Sequence, residues 1–308
     1  MDISVVIPAY NEAESLPELL EKIHRTITGL KRTYEIVVVD DGSHDATLEV
    51  LRNQKKKYPS LKVISFRRNY GKSAALSEAF KTARGDYIIT MDADLQDDPE
   101  EIPSLLENLN NGKYDLISGW KKKRHDPISK TIPSKLFNFV TSRLTGIRIH
   151  DFNCGLKAYR KEVIKDLQIY GELHRFLPVL AHWNGFRVGE TVVKHHPRRF
   201  GKTKFGISRF FNGFFDLLTV LFITRYQTSP LHIFGMLGLL TALIGLFIEL
   251  YLTVLWFSGQ VIRNRPLFFL GILAIIVGVQ FIVFGLLGEM IAARFASQTE
   301  YSIKEKVE

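Results

Sequence analysis

The chain has 308 residues, is 46% hydrophobic, has a mean hydropathy of +0.02 and carries a formal net charge of +9. This leaves room for one good-sized soluble domain and a separate apolar part. The Lys and Arg residues are dispersed with no nucleic-acid motif, so a membrane surface or a phosphorylated substrate accounts for the charge better than nucleic acid does. The single cysteine, Cys154, excludes disulfides within the chain and fits a reducing compartment.

The soluble half reads in chain order as strand and helix in alternation. Ile3 to Pro8 is an apolar run with no basic region or signal core before it, so this domain is expected to stay where it is made. Leu16, Leu19, Leu20, Ile23 and Ile27 follow at helical spacing. Tyr34 to Val39 is a second buried strand ending in Asp40-Asp41-Gly42-Ser43, and either Ser43 or Asp45 opens the next helix. Leu61 to Phe66 is a third strand. After Arg68-Asn69-Tyr70-Gly71-Lys72 and a helix, Tyr87 to Met91 is a fourth, and Tyr114 to Ser118 a fifth. Continuous apolar strands alternating with amphipathic helices predict a Rossmann-like α/β domain with a mostly parallel sheet covered on both faces.

The fourth strand runs into Asp92-Ala93-Asp94-Leu95-Gln96-Asp97-Asp98-Pro99-Glu100. Asp97, Asp98, Glu100 and Glu101 read as a cap for the helix that Pro99 opens. Asp92 and Asp94 suit a hard divalent cation, although a D-x-D triplet alone separates that poorly from a cap. Three strands end in Tyr10-Asn11-Glu12, Asp40-Asp41 and Asp92-Asp94, and parallel strands put these tips on one sheet edge. Crowded carboxylates need a cation or donors to offset them. No G-x-G-x-x-G turn follows the first strand, which argues against a dinucleotide and for a metal-bound nucleotide sugar.

Further on, Lys121 to His125 is a basic run that reads most simply as a solvated loop, followed by a basic amphipathic helix from Lys130 to Leu144. Asp151 opens a turn through Asn153-Cys154-Gly155 into an extended segment; it is either structural or faces the pocket. Cys154 reads as a small buried residue, and His195 and His196 as polar strand-end residues after a last strand, Arg187 to Lys194. Arg198 and Lys204 lie on a basic, glycine-punctuated loop suited to phosphate oxygens.

The remainder is apolar. Residues 205–230 carry Phe210, Phe211, Phe214, Leu218 and Phe222 along a helical stripe and are expected to lie in the headgroup region. Residues 231–257 and 267–293 are each long enough to cross a bilayer core of roughly 30 Å. Glu249 and Gln280 should face protein or water, while Glu289 should reach the interface. The domains expected are thus a catalytic domain over 1–204, an interfacial region over 205–230, a membrane hairpin over 231–293 and a tail over 294–308. Charge in the short loop does not settle the orientation. The soluble side is placed in the cytosol because nucleotide sugars are made there.

Together these segments resemble the family-2 glycosyltransferases of the polyprenyl-phosphate type. That group includes dolichyl-phosphate mannose synthase, the bactoprenol glucosyltransferases and the undecaprenyl-phosphate aminoarabinose transferase. The resemblance is carried by Val5 to Glu12, Val38 to Ser43, Arg68 to Lys72, Asp92 to Gln96, Asn153-Cys154-Gly155, Gly201-Lys202-Thr203-Lys204 and Gly285-Leu286-Leu287-Gly288-Glu289. It implies a GT-A domain and an integral membrane enzyme that moves a sugar from a nucleotide-sugar donor to a polyprenyl phosphate with inversion. It also implies Mg²⁺ or Mn²⁺ as cofactor. Pro8, Tyr10, Glu12, Val39 and Asp41 would hold the nucleoside, Asp92 and Ala93 the nucleotide, and Asp94 with Gln96 the metal. Arg198 and Lys204 would close over the diphosphate, and Lys121, Lys130, Ser134 and Lys135 would receive the lipid phosphate. Asp94, Asp151, Arg198 and Lys204 form the catalytic set. Ser129 and Lys121 stand where the mannose synthase pattern has arginine, so the acceptor side departs from that subgroup.

A UDP-hexose, glucose first, is the expected donor, with UDP-N-acetylglucosamine, UDP-aminoarabinose or GDP-mannose as alternatives. Polar residues within the apolar helices invite homo-oligomers. A processive polysaccharide synthase would need more crossings and a Q-x-x-R-W segment. A non-catalytic membrane scaffold would have no use for the intact acidic and basic residues.

Overall fold

The computed structural model describes residues 1–122, 128–167, 169–197, 199–200, 215–222, 229–259 and 266–296. They fall into two compact units, Met1–Val220 and Leu221–Glu308.

The first unit is built on a seven-stranded sheet in the order β3-β2-β1-β4-β6-β5-β7. The strands are β1 Ile3–Ala9, β2 Tyr34–Asp40, β3 Leu61–Ser65, β4 Tyr87–Thr90, β5 Leu116–Trp120, β6 Lys157–Arg160 and β7 Val188–Val192. The helices are α1 Leu16–Gly29, α2 Thr47–Lys57, α3 Lys72–Thr82, α4 Ile102–Asn110, α5 Ile128–Thr145, α6 Lys161–Lys165 and α7 Leu177–Trp183. β1 and β2 have almost no polar face because neighbouring strands and helices cover them; Val5, Val6, Ile7 and Val37 to Val39 are fully buried. α1 buries Leu16, Leu19, Leu20, Ile23 and Ile27, the stripe its spacing predicts, each side chain contributing about 1.5–3 kcal/mol.

The α/β architecture is the expected one, with one local refinement. The extended segment after Gly155 enters the sheet as β6, between β4 and β5 and antiparallel to both. Its register pairs Thr90 with Lys157. An antiparallel neighbour begins where its partner ends, so the Asn153-Cys154-Gly155 turn is delivered to the carboxyl tip of β4. β5, antiparallel to β6, runs in the direction of β4, so the residue after β5, Lys121, arrives at the same edge.

The second unit contains α8 Pro230–Phe257 and α9 Pro266–Ala296. Both are long and apolar enough to cross a membrane. They meet through glycines spaced by seven. A Cβ on Gly238 would lie 2.5 Å from the Gly278 carbonyl oxygen, and one on Gly245 2.6 Å from that of Gly271. Small residues let two helices approach where water supplies no driving force. The Glu289 carboxylate accepts from the Leu231 amide at 3.3 Å, at the start of α8. Gly288 packs on Pro230 and Gly285 on Leu231. The Gly-Leu-Leu-Gly-Glu run is therefore a fitting for that helix end. Of the interfacial region, residues 215–222 are helical, with Phe215, Leu218 and Phe222 exposed; the rest lies outside the described residues.

Candidate active site

The tips of β2, β1 and β4 lie side by side, as the parallel registers require. Ala9 pairs with Asp40 and Val6 with Thr90. Asp40 and Asp41, though adjacent, have separate tasks. Asp40 accepts from the Ser65 hydroxyl at 2.8 Å and the Ser43 amide at 3.1 Å, which ties β2 to β3. Asp41 accepts from the amides of Tyr70 and Gly71 at 2.7 and 2.9 Å. Burial raises its pKa despite those two donors. Gly42 has φ +67°, and a Cβ there would lie 2.4 Å from the Arg68 backbone, so only glycine lets the two loops touch. Tyr10 meets His44 edge-on at 6.3 Å. Glu12 accepts from the Ser15 hydroxyl at 2.8 Å. Val39 is fully buried, backbone included.

Asp92 is half-buried and surrounded by cations. Lys72, the first residue of α3, reaches its carboxylate at 2.5 Å. Burial pushes the Asp92 pKa up, but the ammoniums of Lys72, Lys121 and Lys157 outweigh it and hold the carboxyl well below its ordinary value. Lys157 is 3% exposed and donates to the Cys154 carbonyl oxygen; burial lowers its pKa. Burial, then the Lys72 and Arg175 charges, push His174 well below an ordinary imidazole. Its ring Nδ1 and its backbone amide both bond the Ser73 hydroxyl, at 2.9 and 3.1 Å. Lys72, Asp92, Asn153, Lys157 and His174 line one small polar cavity together with Pro8.

Asp97 is the main departure from expectation on the acidic run. The cap proper is Asp98, which accepts from the Glu100 amide at 3.0 Å. Asp97 is 1% exposed and pairs with Lys121 at 2.9 Å. Lys121 thus points into the protein, not to solvent as a basic run normally would. Burial opposes its charge, but the Asp97 carboxylate more than compensates and raises its pKa well above the usual lysine value. Gly155 seats both acids: a Cβ there would lie 2.6 Å from the Asp92 carboxyl carbon and 2.7 Å from an Asp97 oxygen. The neighbouring Cys154 is buried, its thiol pKa pushed up to about 12, as expected of an inert residue.

Asp94 is 7% exposed, and its carboxylate accepts from the Gln96 amide at 3.2 Å across Leu95, which has φ 61°. Carboxylate and carboxamide oxygens are the donors Mg²⁺ and Mn²⁺ take. Among the described residues no three His, Cys, Asp or Glu side chains converge as a metal cluster. A cation held by Asp94 and Gln96 would therefore draw its other oxygens from ligand or water, which suits a nucleotide diphosphate. Asp151 is buried and accepts from the Asn153 amide at 3.2 Å, shaping the turn that brings Asn153 to the cavity. Ser134 is half-buried and Lys135 exposed on α5. Arg198, Lys204 and the Lys130 side chain lie outside the described residues.

A family model for glycosyl transferase family 2 matches residues 4–168. The chain belongs to glycosyltransferase family 2. A dodecaprenyl-phosphate galacturonate synthase from Rhizobium johnstonii is 40% identical to this glycosyltransferase over 300 residues, covering 96% of this chain and 89% of the relative. An undecaprenyl-phosphate 4-deoxy-4-formamido-L-arabinose transferase from Pseudomonas aeruginosa is 38% identical over 297 residues, covering 96% and 86%. Among solved structures, glucosyl-3-phosphoglycerate synthase from Mycobacterium tuberculosis, in complex with Mn²⁺, UDP-glucose and glycerol 3-phosphate, superposes with a TM-score of 0.54. At 18% identity, covering 72% of this chain and 79% of that one, it shares the fold.

The glycosyltransferase fold thus gathers Pro8, Asp41, Asp92, Asp94 and Lys121 at one sheet edge. Lys157 and His174 are additions that local sequence reading passes over. A lysine set between the apolar Leu156 and Ala158 was the available signal for Lys157. His174 had none, because it comes from a turn, Leu173–Phe176, far from β4 in sequence.

Proposed function

We propose that this glycosyltransferase moves a sugar from a nucleotide sugar to a polyprenyl phosphate, inverting the anomeric centre, at the cytosolic face of a membrane. The observation that carries this reading is the reach of the similarity. The 40% identity with a polyprenyl-phosphate glycosyl transferase covers 96% of the chain and so includes both apolar helices, well beyond the family match at residues 4–168.

Pro8, Tyr10, Glu12, Val39 and Asp41 line the nucleoside side of the edge, and Asp92 with Ala93 the nucleotide side. Asp94 and Gln96 are the residues to hold Mg²⁺ or Mn²⁺, which when bound would neutralise charge on the diphosphate. An oxygen of the lipid phosphate attacks the anomeric carbon opposite the nucleotide, the bond to the diphosphate breaks, and the nucleoside diphosphate leaves with that electron pair. The attacking phosphate is already anionic, so no strong general base is needed; Asp151, held in its turn, keeps Asn153 and Gly155 in place. Arg198 and Lys204 supply further positive charge to the departing diphosphate. Lys130, Ser134 and Lys135 are the residues to receive the acceptor phosphate, with Lys121, held by Asp97, beside the site.

For the donor we place a UDP-linked uronate or amino-pentose ahead of the glucose first expected, because the relatives above are named for galacturonate and 4-deoxy-4-formamido-L-arabinose. The test is a panel of UDP-galacturonate, UDP-4-formamido-arabinose, UDP-N-acetylglucosamine, UDP-glucose and GDP-mannose with short-chain polyprenyl phosphate, read by mass of the lipid product. One donor should give a lipid-linked sugar. No product from any of them overturns the reading.

A further inference from the structure

Ser73 and His174 stand 101 residues apart, yet the turn Leu173–Phe176 lays the imidazole against the first turn of α3. Both are buried. The Ser73 oxygen accepts from the His174 backbone N–H at 3.1 Å and lies 2.9 Å from ring Nδ1. Among the described residues, Nδ1 is the acceptor within reach of the Ser73 hydroxyl proton. Nδ1 is therefore unprotonated, and a neutral ring must carry its proton on Nε2. Burial and the charges of Lys72 and Arg175 keep the ring neutral.

Nε2 makes no hydrogen bond among the described residues and is not sealed in the core. His174 lines the polar cavity with Lys72, Asp92 and Lys157. The two lysines are engaged, Lys72 with Asp92 and Lys157 with the Cys154 carbonyl oxygen. The imidazole thus brings to this cavity a neutral N–H with no partner among the described residues. Protonated at Nε2 and bonded at Nδ1, it is a donor and not a base. A neutral donor adds no charge for a diphosphate to use, so it suits a carbonyl or hydroxyl oxygen.

We infer that His174 binds the donor nucleoside, its Nε2–H donating to a base carbonyl or a ribose hydroxyl when the nucleotide lies against Asp92. This rests on the nucleotide-sugar reading and adds to it a residue from outside the acidic strand tips. Ser73 is then a positioning residue, acting through the tautomer it imposes on His174.

The test uses the full chain in nanodiscs with ¹⁵N-labelled histidine, His174→Gln identifying the resonances of that ring. At neutral pH the wild type should show Nδ1 unprotonated and Nε2 protonated, and UDP with Mg²⁺ should shift the Nε2 proton. Loss of the shift with 2′- or 3′-deoxy-UDP marks a ribose hydroxyl as the partner; loss with 2- or 4-thio-UDP marks a base carbonyl. A proton on Nδ1, an Nε2 signal that UDP leaves unmoved, or a shift that survives all four analogues would overturn the inference. Ser73→Ala should mix the two tautomers. In a second arm, calorimetric titration with UDP, His174→Leu should raise Kd about tenfold, while His174→Gln, which keeps a neutral N–H, should stay within about twofold of wild type. Equal losses in both variants would reveal a packing role and also overturn it. The wild-type spectra do not depend on any variant folding. Neither arm needs a sugar or a lipid, so a donor panel without product would overturn the transfer reaction and leave the nucleoside contact to be decided by these spectra.

Discussion

Lys121 and Asp97 form a buried ion pair, 2.9 Å from Nζ to Oδ1, and the other Asp97 oxygen lies 3.5 Å from the backbone nitrogen of Asp92. The charge beside the site therefore comes from the end of β5 and is held there by an acid from the β4 loop. This pair stabilises the position of Lys121 more than it invites a ligand, because leaving Asp97 would strand a carboxylate away from water.

Asp97→Ala removes one partner of that pair. The expected cost is about 3–5 kcal/mol, the usual range for breaking a buried pair. In thermal unfolding of the detergent-purified chain this is a fall of roughly 6–20 °C at about 2–4 °C per kcal/mol. Asp97→Ala with Lys121→Met should recover most of it. The raised Lys121 pKa means that the pair's contribution is complete below 10.5, the ordinary lysine value, and is lost as pH rises through the higher folded value. Wild type should show an alkaline loss of stability that the double variant lacks.

Lys72→Met leaves Asp92 with two neighbouring ammoniums and the same burial. Because the Asp92 pKa is depressed, its charged form is favoured in the folded state above 3.8 and lost as pH falls through the folded value. Without Lys72 that value rises, so the acid limb of the kcat/KM profile should move to higher pH. An acid limb that does not move would show that Asp92 ionisation is not what the limb reports.

Gly155→Ala puts a methyl group within 2.6 Å of the Asp92 carboxyl carbon, so Asp92 and Asp97 must shift. Displacements of this size cost up to about a hundredfold in rate when they disturb reactive geometry. A fall in kcat of tenfold or more is expected, measured as product formation under saturating donor. Gly29→Ala, with open space around it at the end of α1, should leave kcat unchanged.

Glu289→Ala removes the carboxylate that meets the Leu231 amide at the start of α8. Loss of a helix cap costs about 0.5–2 kcal/mol, so a small drop in melting temperature is expected. Gly278→Leu should do far more, because its Cβ would lie 2.6 Å from the Gly238 carbonyl oxygen and the helices must part.

Sequence by itself determined the alternating strands and helices, the acidic tips of β1, β2 and β4, and the two apolar helices. Each is a local signal: a run of buried aliphatics, a charge at a strand end, a length of apolar chain. What only the tertiary structure decided was how distant pieces meet. β6 enters antiparallel, so Gly155 lies against Asp92; β5 ends on the same edge as β4, one strand further along, so Lys121 finds Asp97; a turn near residue 174 closes the cavity with an imidazole. It also separated Asp97 from Asp98, two neighbours with the same side chain and the same local pattern. One ends on an amide and the other under a lysine, because burial and pairing depend on what the folded chain brings from elsewhere.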